Sequence, residues 1–355
     1  MKILTIPEHC TRTHGAHCTR CQLACPAKAL SFDEAGAPVI DRDACTKCGV
    51  CIGVCDAFSS SSATALRLYD HLRKVAMRGE IVYLTCEENV FPGFEPAKNV
   101  TVLPCLACVP PELWTLLLSQ NVPVCVACDL KYCEDCSRAA KIGELLFTKA
   151  IEIAEAQTGE SVHFDREIPE YVPPVEAVVD DEFDRRAAFD SVKDDAFGII
   201  SGRRRLKQSD TLKEAYRKKE RERMREALNL SEGEYLSDAL EKGRATRVMP
   251  PRRRMLLEAY AAKPDIAENV EIVVSATDHA ACVECLDCVA KCASGARIAT
   301  KEGHLEYDAR YCVGCGACEA VCPRNAIALV EATFADLLPE GPGKPAIEPN
   351  LADYE

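Results

Sequence analysis

The sequence lacks most of what a membrane-spanning, secreted or nucleic-acid-binding protein would need. Aromatic residues make up only 6% of it, with one tryptophan, so large apolar side chains are scarce. No uninterrupted apolar run approaches the roughly eighteen residues that cross a bilayer. Residues 1–15 have no apolar stretch of secretory-leader length, because charged and histidine residues interrupt them. The formal net charge is -13, whereas nucleic-acid binding generally wants a basic surface. A G-x-G-x-x-G loop is missing, which argues against a tightly held dinucleotide. The seven histidines are scattered among loops and form no Ser-His-Asp set, so no catalytic residue is assigned.

Against this background stand 23 cysteines in 355 residues, a length that suits two or three domains. Thiols at that density without an export signal point to metal in a reducing, cytoplasmic setting and away from a disulfide framework. The densest stretch reads Cys282-x2-Cys285-x2-Cys288-x3-Cys292, then Cys312-x2-Cys315-x2-Cys318-x3-Cys322-Pro323. Three thiolates at two-residue gaps wrap one face of a cubane, and the fourth in each run reaches to the other cluster. This spacing resembles that of bacterial ferredoxins with two [4Fe-4S] clusters. The resemblance implies one set of Cys282, Cys285, Cys288 and Cys322 and another of Cys312, Cys315, Cys318 and Cys292. Zinc is the competing reading of any single Cys-x2-Cys pair. Residues 296–300 and 326–330 are expected to be short strands covering the clusters, which would stand in for part of a hydrophobic core.

Laid over the N-terminus with Cys285 on Cys18, the pattern meets cysteine at seven of its eight positions, as an internal repeat would. Cys25, Cys45, Cys48 and Cys51 form one expected set. Cys18, Cys21 and Cys55 form the other, whose fourth place falls on Gly15. Cys10 is the natural substitute if residues 11–17 fold back; His14, His17 or a cluster with three cysteine ligands are the alternatives. Proline follows the last cysteine of a run at Pro26 and Pro323, but Asp56 and Ala293 stand at the other two such places.

Between the repeats the pattern changes. A serine run, Ser59 to Ser62, reads as a hinge or a helix cap, and residues 63–78 have helical apolar spacing. Short apolar runs at 80–86, 99–105, 122–128 and 161–165 read as strands, with helices at 110–120 and 137–158, so a small parallel α/β layer is expected. Cys86, Cys105 and Cys128 each end an expected strand. Ligands in such sheets bind where the strands' carboxyl ends emerge. Soft thiolates gathered at that edge suit an iron-sulfur cluster or zinc. Residues 80–150 loosely resemble the small iron-sulfur (delta) subunit that links hydrogenase to heterodisulfide reductase in methanogens. The resemblance rests on Cys86, on Cys105 followed by Pro111-Glu112-Leu113, and on Cys128-x4-Cys133. It implies Cys86, Cys105, Cys128 and Cys133 as ligands of a [2Fe-2S] cluster. That family's doubled cysteine and glycine-rich segment are missing here, and Cys108, Cys125 and Cys136 are extra, so zinc or a redox dithiol such as Cys105-x2-Cys108 stays open.

Residues 166–200 are acidic and carry prolines, as a linker does. Arg203 to Arg225 reads as a basic helix, and residues 253–262 as another short one. The expected fold class is α+β and multidomain, with two ferredoxin-like dicluster domains flanking a small cysteine-rich α/β parallel-sheet domain and a helical linker. The expected boundaries are 1–62 and 273–332 for the dicluster domains, 63–165 for the α/β domain, 166–272 for linker and charged helices, and 333–355 for a mobile acidic tail. The expected function is electron relay through three to four [4Fe-4S] clusters and one central [2Fe-2S] or zinc site. The redox partner would be a hydrogenase, a flavoprotein or a molybdenum enzyme, with no nucleic acid and no membrane span. Two alternatives are an oxidoreductase whose central cysteines act on a disulfide or small oxidant, and a zinc-held docking platform.

Overall fold

Helices of five residues cannot hold themselves together in water, so the cysteine runs need tertiary support on both sides. The computed structural model describes residues 2–60, 64–171, 247–300, 302–338 and 349–354. The N-terminal elements are β1 (Ile3–Thr5), α1 (Arg20–Ala24), β2 (Leu30–Phe32), β3 (Pro38–Ile40), α2 (Val50–Val54) and β4 (Phe58–Ser60). Strand β1 pairs antiparallel with β4, and β2 with β3. Each short helix is thus held by a ladder formed before and after it.

The middle elements are α3 (Ala65–Ala76), β5 (Val82–Cys86), β6 (Val100–Leu103), α4 (Pro111–Ser119), β7 (Val124–Ala127), α5 (Lys131–Glu134), α6 (Ala140–Thr158) and β8 (His163–Asp165). The strands form one sheet in the order β6-β5-β7-β8, parallel at every pairing. Strand β7 is buried at each position, as suits a parallel strand covered on both faces. Pro111 and Glu112 open α4, where a missing N–H costs nothing and a carboxylate meets the positive end of the helix. Gly159, at φ +71°, closes α6 in the left-handed region that glycine adopts without strain. Leu113, Trp114, Leu116 and Leu117 of α4 join Phe147, Leu84 and Val126 in a solvent-free core. The chain's one tryptophan therefore sits under the sheet and not at a surface.

After the middle segment come α7 (Pro251–Ala262), β9 (Glu271–Thr277), α8 (Asp287–Lys291), β10 (Arg297–Ala299), β11 (Leu305–Tyr307), α9 (Ala317–Val321) and β12 (Ile327–Thr333). From β9 onward the order strand, helix, strand, strand, helix, strand is that of residues 3–60. The pairing is also the same, β9 with β12 and β10 with β11, both antiparallel. The register agrees as well: Leu30 faces Ile40 and Arg297 faces Tyr307, each five residues past the last cysteine of a first run.

Three expectations need correction or refinement. The serine hinge is partly a strand, since Ser59 and Ser60 lie buried in β4 opposite Leu4 and Ile3; the helix cap is Thr64, whose side chain accepts from Arg67 N–H. The linker expected from residue 166 is anchored at its start, and the short helix expected at 253–262 is present as α7. Tyr171 N–H donates to the Glu95 carbonyl, and α7 packs on α4 with Met255 and Ala259 fully buried. Arginines dominate the start of α7, and that charge density hid its apolar face from periodicity. Arg203 to Arg225 lies outside the described residues. The acidic tail is also partly anchored: Phe334 and Leu337 are buried, and Asn350 bridges to Thr277 beside β12. All described residues fall within one compact unit. Met255→Ala is expected to lower the denaturation midpoint by the equivalent of about 2–5 kcal/mol; an unchanged midpoint would return α7 to the status of a linker.

Candidate metal centres

None of the 23 cysteines is in a disulfide. In the C-terminal repeat one cleft of about 330 Å3 is lined by Cys282, Cys285, Cys288 and Cys322. A second, of about 340 Å3, is lined by Cys292, Cys312, Cys315 and Cys318. Each cleft thus takes three thiols from one run and the fourth from the other. The cause is local: the first three lie on a loop and the start of α8 or α9, while the fourth leaves the opposite helix in extended backbone.

The N-terminal repeat brings together Cys25, Cys45, Cys48 and Cys51 around a cleft of about 340 Å3. Cys10, Cys18 and Cys55 all act electrostatically on Cys21, so these four form the other group. Cys10 arrives there because two turns, Pro7–His9 and Thr11–His14, fold the segment back, with Thr13 Oγ1 donating to the Cys10 carbonyl at 2.7 Å. Gly15 closes the second turn at φ +97°. His14 Nε2 lies 3.3 Å from the Glu8 carbonyl, and His17 is exposed. The structure therefore gathers Cys10 with Cys18, Cys21 and Cys55.

Burial and mutual repulsion push these thiols upward: Cys21 and Cys315 to about 12, Cys55 and Cys288 to about 11. Burial is the leading cause in every case, with neighbouring cysteines adding to it. Metal binding reverses this, since thiolate is the ligating form and its proton leaves as the cation enters. Backbone N–H groups already point at sulfur. Ala29 donates to Cys25 at 3.3 Å, Ala57 to Cys55 at 3.4 Å, Arg297 to Cys292 at 3.5 Å and Ala326 to Cys322 at 3.3 Å.

Arg297 tests whether these residues suit an anionic cluster. The side chain is 1% exposed and lines the cleft of Cys292, Cys312, Cys315 and Cys318. Its Nη2 donates to Ser275 Oγ at 3.1 Å and Thr277 Oγ1 at 3.0 Å, and the guanidinium stacks 4.3 Å from the Tyr307 ring centre. Nε and Nη1 have no partner, and Arg297 makes no ion pair among the described residues. A buried cation without a counter-charge costs several kcal/mol. Thiolates gathered on a metal-sulfur cage would supply that counter-charge, so the residues fit the group. Four thiolates around a cage stand apart from one another. No three His, Cys, Asp or Glu among the described residues converge as on a single metal ion.

The middle segment supplies a further thiol group. One cleft of about 350 Å3 is lined by Cys86, Cys105, Cys128, Cys133 and Cys136. Cys86 ends β5, Cys128 follows β7, Cys105 lies just past β6 and Cys133 is on α5, so the carboxyl edge of the sheet does collect them. Cys136 joins them, as its place in the loop after β7 suggests, although the expected ligand set left it out; Ala139 N–H donates to its sulfur at 3.4 Å, as at the cysteines above. Cys125 is buried in β7 and does not line the cleft, and Cys108 lies beside Cys48.

Asn89 is a residue the sequence did not reveal. It is buried, its amide donates to Cys86 Sγ at 3.0 Å and Cys128 Sγ at 3.3 Å, and its oxygen accepts from Asp129 N–H at 3.0 Å. Cys128 lies between Cys86 and Cys133 and keeps its proton, while hydrogen bonds from Cys128 and then Asn89 lower Cys86 to about 6. Gly143 of α6 makes room for the site, because a Cβ there would meet Cys105 Sγ at 2.9 Å and Ala139 Cβ at 2.7 Å.

A model of the family described as "4Fe-4S dicluster domain" matches residues 266–327, a span that contains all eight C-terminal cysteines. No curated protein matches the chain, and no solved structure does. This segment marks the chain as a metal-binding, iron-sulfur protein of electron-transport type. No helix among the described residues is long and apolar enough to cross a membrane.

Two outcomes follow from the central cleft. Gly143→Ala is expected to displace Cys105 and lower the metal bound at the central site, while the iron held by the terminal cysteines stays constant. In metal-free protein, Cys86 is expected to titrate near pH 6, thiol below and thiolate above, seen as thiolate absorbance. Asn89→Ala should move that titration back toward the ordinary value of 9.0.

Proposed function

We propose that the protein relays electrons through several iron-sulfur centres, as a subunit of a larger redox complex or a donor to one. On this reading Cys282, Cys285, Cys288 and Cys322 hold one [4Fe-4S] cluster, and Cys292, Cys312, Cys315 and Cys318 hold a second. Cys25, Cys45, Cys48 and Cys51 hold a third, and Cys10, Cys18, Cys21 and Cys55 a fourth. The observation that carries this reading is the repeat: residues 3–60 share element order, strand pairing and cysteine placement with the segment matched by the dicluster family. The clusters supply reversible one-electron storage. The chain holds them in place, keeps water from the buried sulfurs and aims backbone N–H groups at those sulfurs.

The central thiols extend the path. Gly53 of α2 lies so close to the turn at Leu106–Cys108 that a Cβ there would fall 1.9 Å from the Ala107 carbonyl oxygen. Thr46 Oγ1 donates to the Arg138 carbonyl at 2.8 Å, and Cys48 acts electrostatically on both Cys105 and Cys108. The central site, with Cys86, Cys105, Cys128 and Cys133 as ligands, is thus next to the Cys48 set. A second reading, in which the central cysteines themselves reduce a disulfide or small oxidant, is favoured by the lowered Cys86 thiol, since thiolate is the nucleophile.

Anaerobically reconstituted protein is expected to be brown, to bleach with dithionite and to hold more than about twelve irons per chain, given four irons per cubane. Fewer irons, with no paramagnetic signal on reduction, would contradict the relay. Cys105→Ser that abolishes turnover of a disulfide while the terminal centres still reduce would select the second reading.

A further inference from the structure

The two repeats have the same fold but different charges around their thiols. In the C-terminal repeat, Arg297 and Tyr307 face each other across β10 and β11. At the same places the N-terminal repeat has Leu30 and Ile40. A buried guanidinium on one side therefore corresponds to a hydrocarbon pair on the other.

Helix α7 adds to the difference. Arg252 donates to the Gly53 carbonyl and pairs with Asp56 at 3.5 Å and Glu112 at 3.6 Å, so two carboxylates answer one cation beside Cys55. The next residue, Arg253, points the other way. It is buried, and its Nε donates to the Cys312 carbonyl at 2.9 Å. Arg253 makes no ion pair among the described residues. On the N-terminal side, Arg12 donates to the Cys18 carbonyl at 3.4 Å, but it is half-exposed, and water weakens its field. One repeat thus has two buried cations near its sulfurs with no carboxylate against them among the described residues, and the other has one answered by two carboxylates, besides the partly exposed Arg12.

We infer that the C-terminal thiol sets are poised to accept electrons more readily than the N-terminal ones, because Arg297 and Arg253 place buried positive charge beside them. This rests on the relay reading and gives it a direction. Nearby charge and hydrogen bonds set the potential of such centres, and a cation stabilises the more negative, reduced state. A low-potential one-electron donor would load the N-terminal sets. Each transfer across α7 then oxidises an N-terminal set by one electron and reduces a C-terminal set by one, with no bond broken and no proton moved. The electron leaves from the C-terminal repeat, where Cys285 is exposed, to a one-electron acceptor of higher potential.

The test is a dithionite titration of the loaded full-length chain, followed by electron paramagnetic resonance, with iron and sulfide counted in parallel. The parent is expected to reduce in two separate groups. Arg297→Gln should lower the reduction constant of the higher group at least tenfold, about 59 mV for one electron, and leave the lower group and the iron content in place. Arg297→Lys, which keeps the charge, should recover most of the shift. Arg253→Gln should move the higher group in the same direction, and it decides the matter if Arg297→Gln fails to hold iron. Three results would each overturn the inference with the relay intact: one unresolved reduction in the parent, a shift confined to the lower group, or unmoved potentials in both variants at full iron. A parent chain that takes up no iron would remove the relay itself, and the inference with it.

Discussion

Buried sulfur repels buried sulfur, and the architecture follows from that conflict. The thiols crowd into four clefts of similar size and a fifth group around Cys21, most of them shielded from water. Burial disfavours thiolate, and each neighbouring sulfur disfavours it further. Such an arrangement is stable only with cationic metal at its centre, or as uncharged thiols waiting for it. The short helices and three-residue strands on either side have little apolar surface of their own. What they provide is position, with backbone N–H groups directed at sulfur.

Much of this was legible because cysteine spacing is a strong local signal. A run with two-residue gaps states which sulfurs share a face, and the repeat of that run foretold the element order and strand pairing that residues 3–60 share with the segment from β9 to β12. The parallel sheet was legible for a different reason: its strands are short apolar runs between helices, each close to its cysteine. Residues outside these patterns stayed hidden. Arg297 reads as an ordinary strand-edge charge until β10 pairs with β11 and turns it inward. Asn89 sits in a loop, and only the approach of β7 to β5 brings Cys128 to its amide. Cys136 follows Cys133 in a Cys-x2-Cys pair, but the resemblance that supplied the central ligand set stopped at Cys133.

Helix α7 was expected as a helix, but its packing was not legible, for a physical reason. Its first turn is Pro251-Arg252-Arg253-Arg254, and three adjacent cations on a helix usually mean solvent. Here the three diverge. Arg252 turns to Asp56 and Glu112, Arg253 to Cys312, and Arg254 to Glu258 one turn away. A charge run thus acts as a joint: it ties the N-terminal repeat, the sheet segment and the C-terminal repeat to one helix. Tertiary contact overrode the local pattern, and no periodicity could have shown it.

The exchange of each run's fourth cysteine bears on how the chain is made. The cleft of Cys282 is complete only once Cys322 has followed it out of the ribosome, and the other only once Cys318 has joined Cys292, so loading cannot track synthesis residue by residue. The N-terminal repeat is different, for all eight of its sulfurs have emerged by Cys55, long before the sheet or α7 exists. Domains fold as units as they emerge. On the relay reading, the N-terminal sets are therefore complete well before the C-terminal ones, at two well-separated moments of translation.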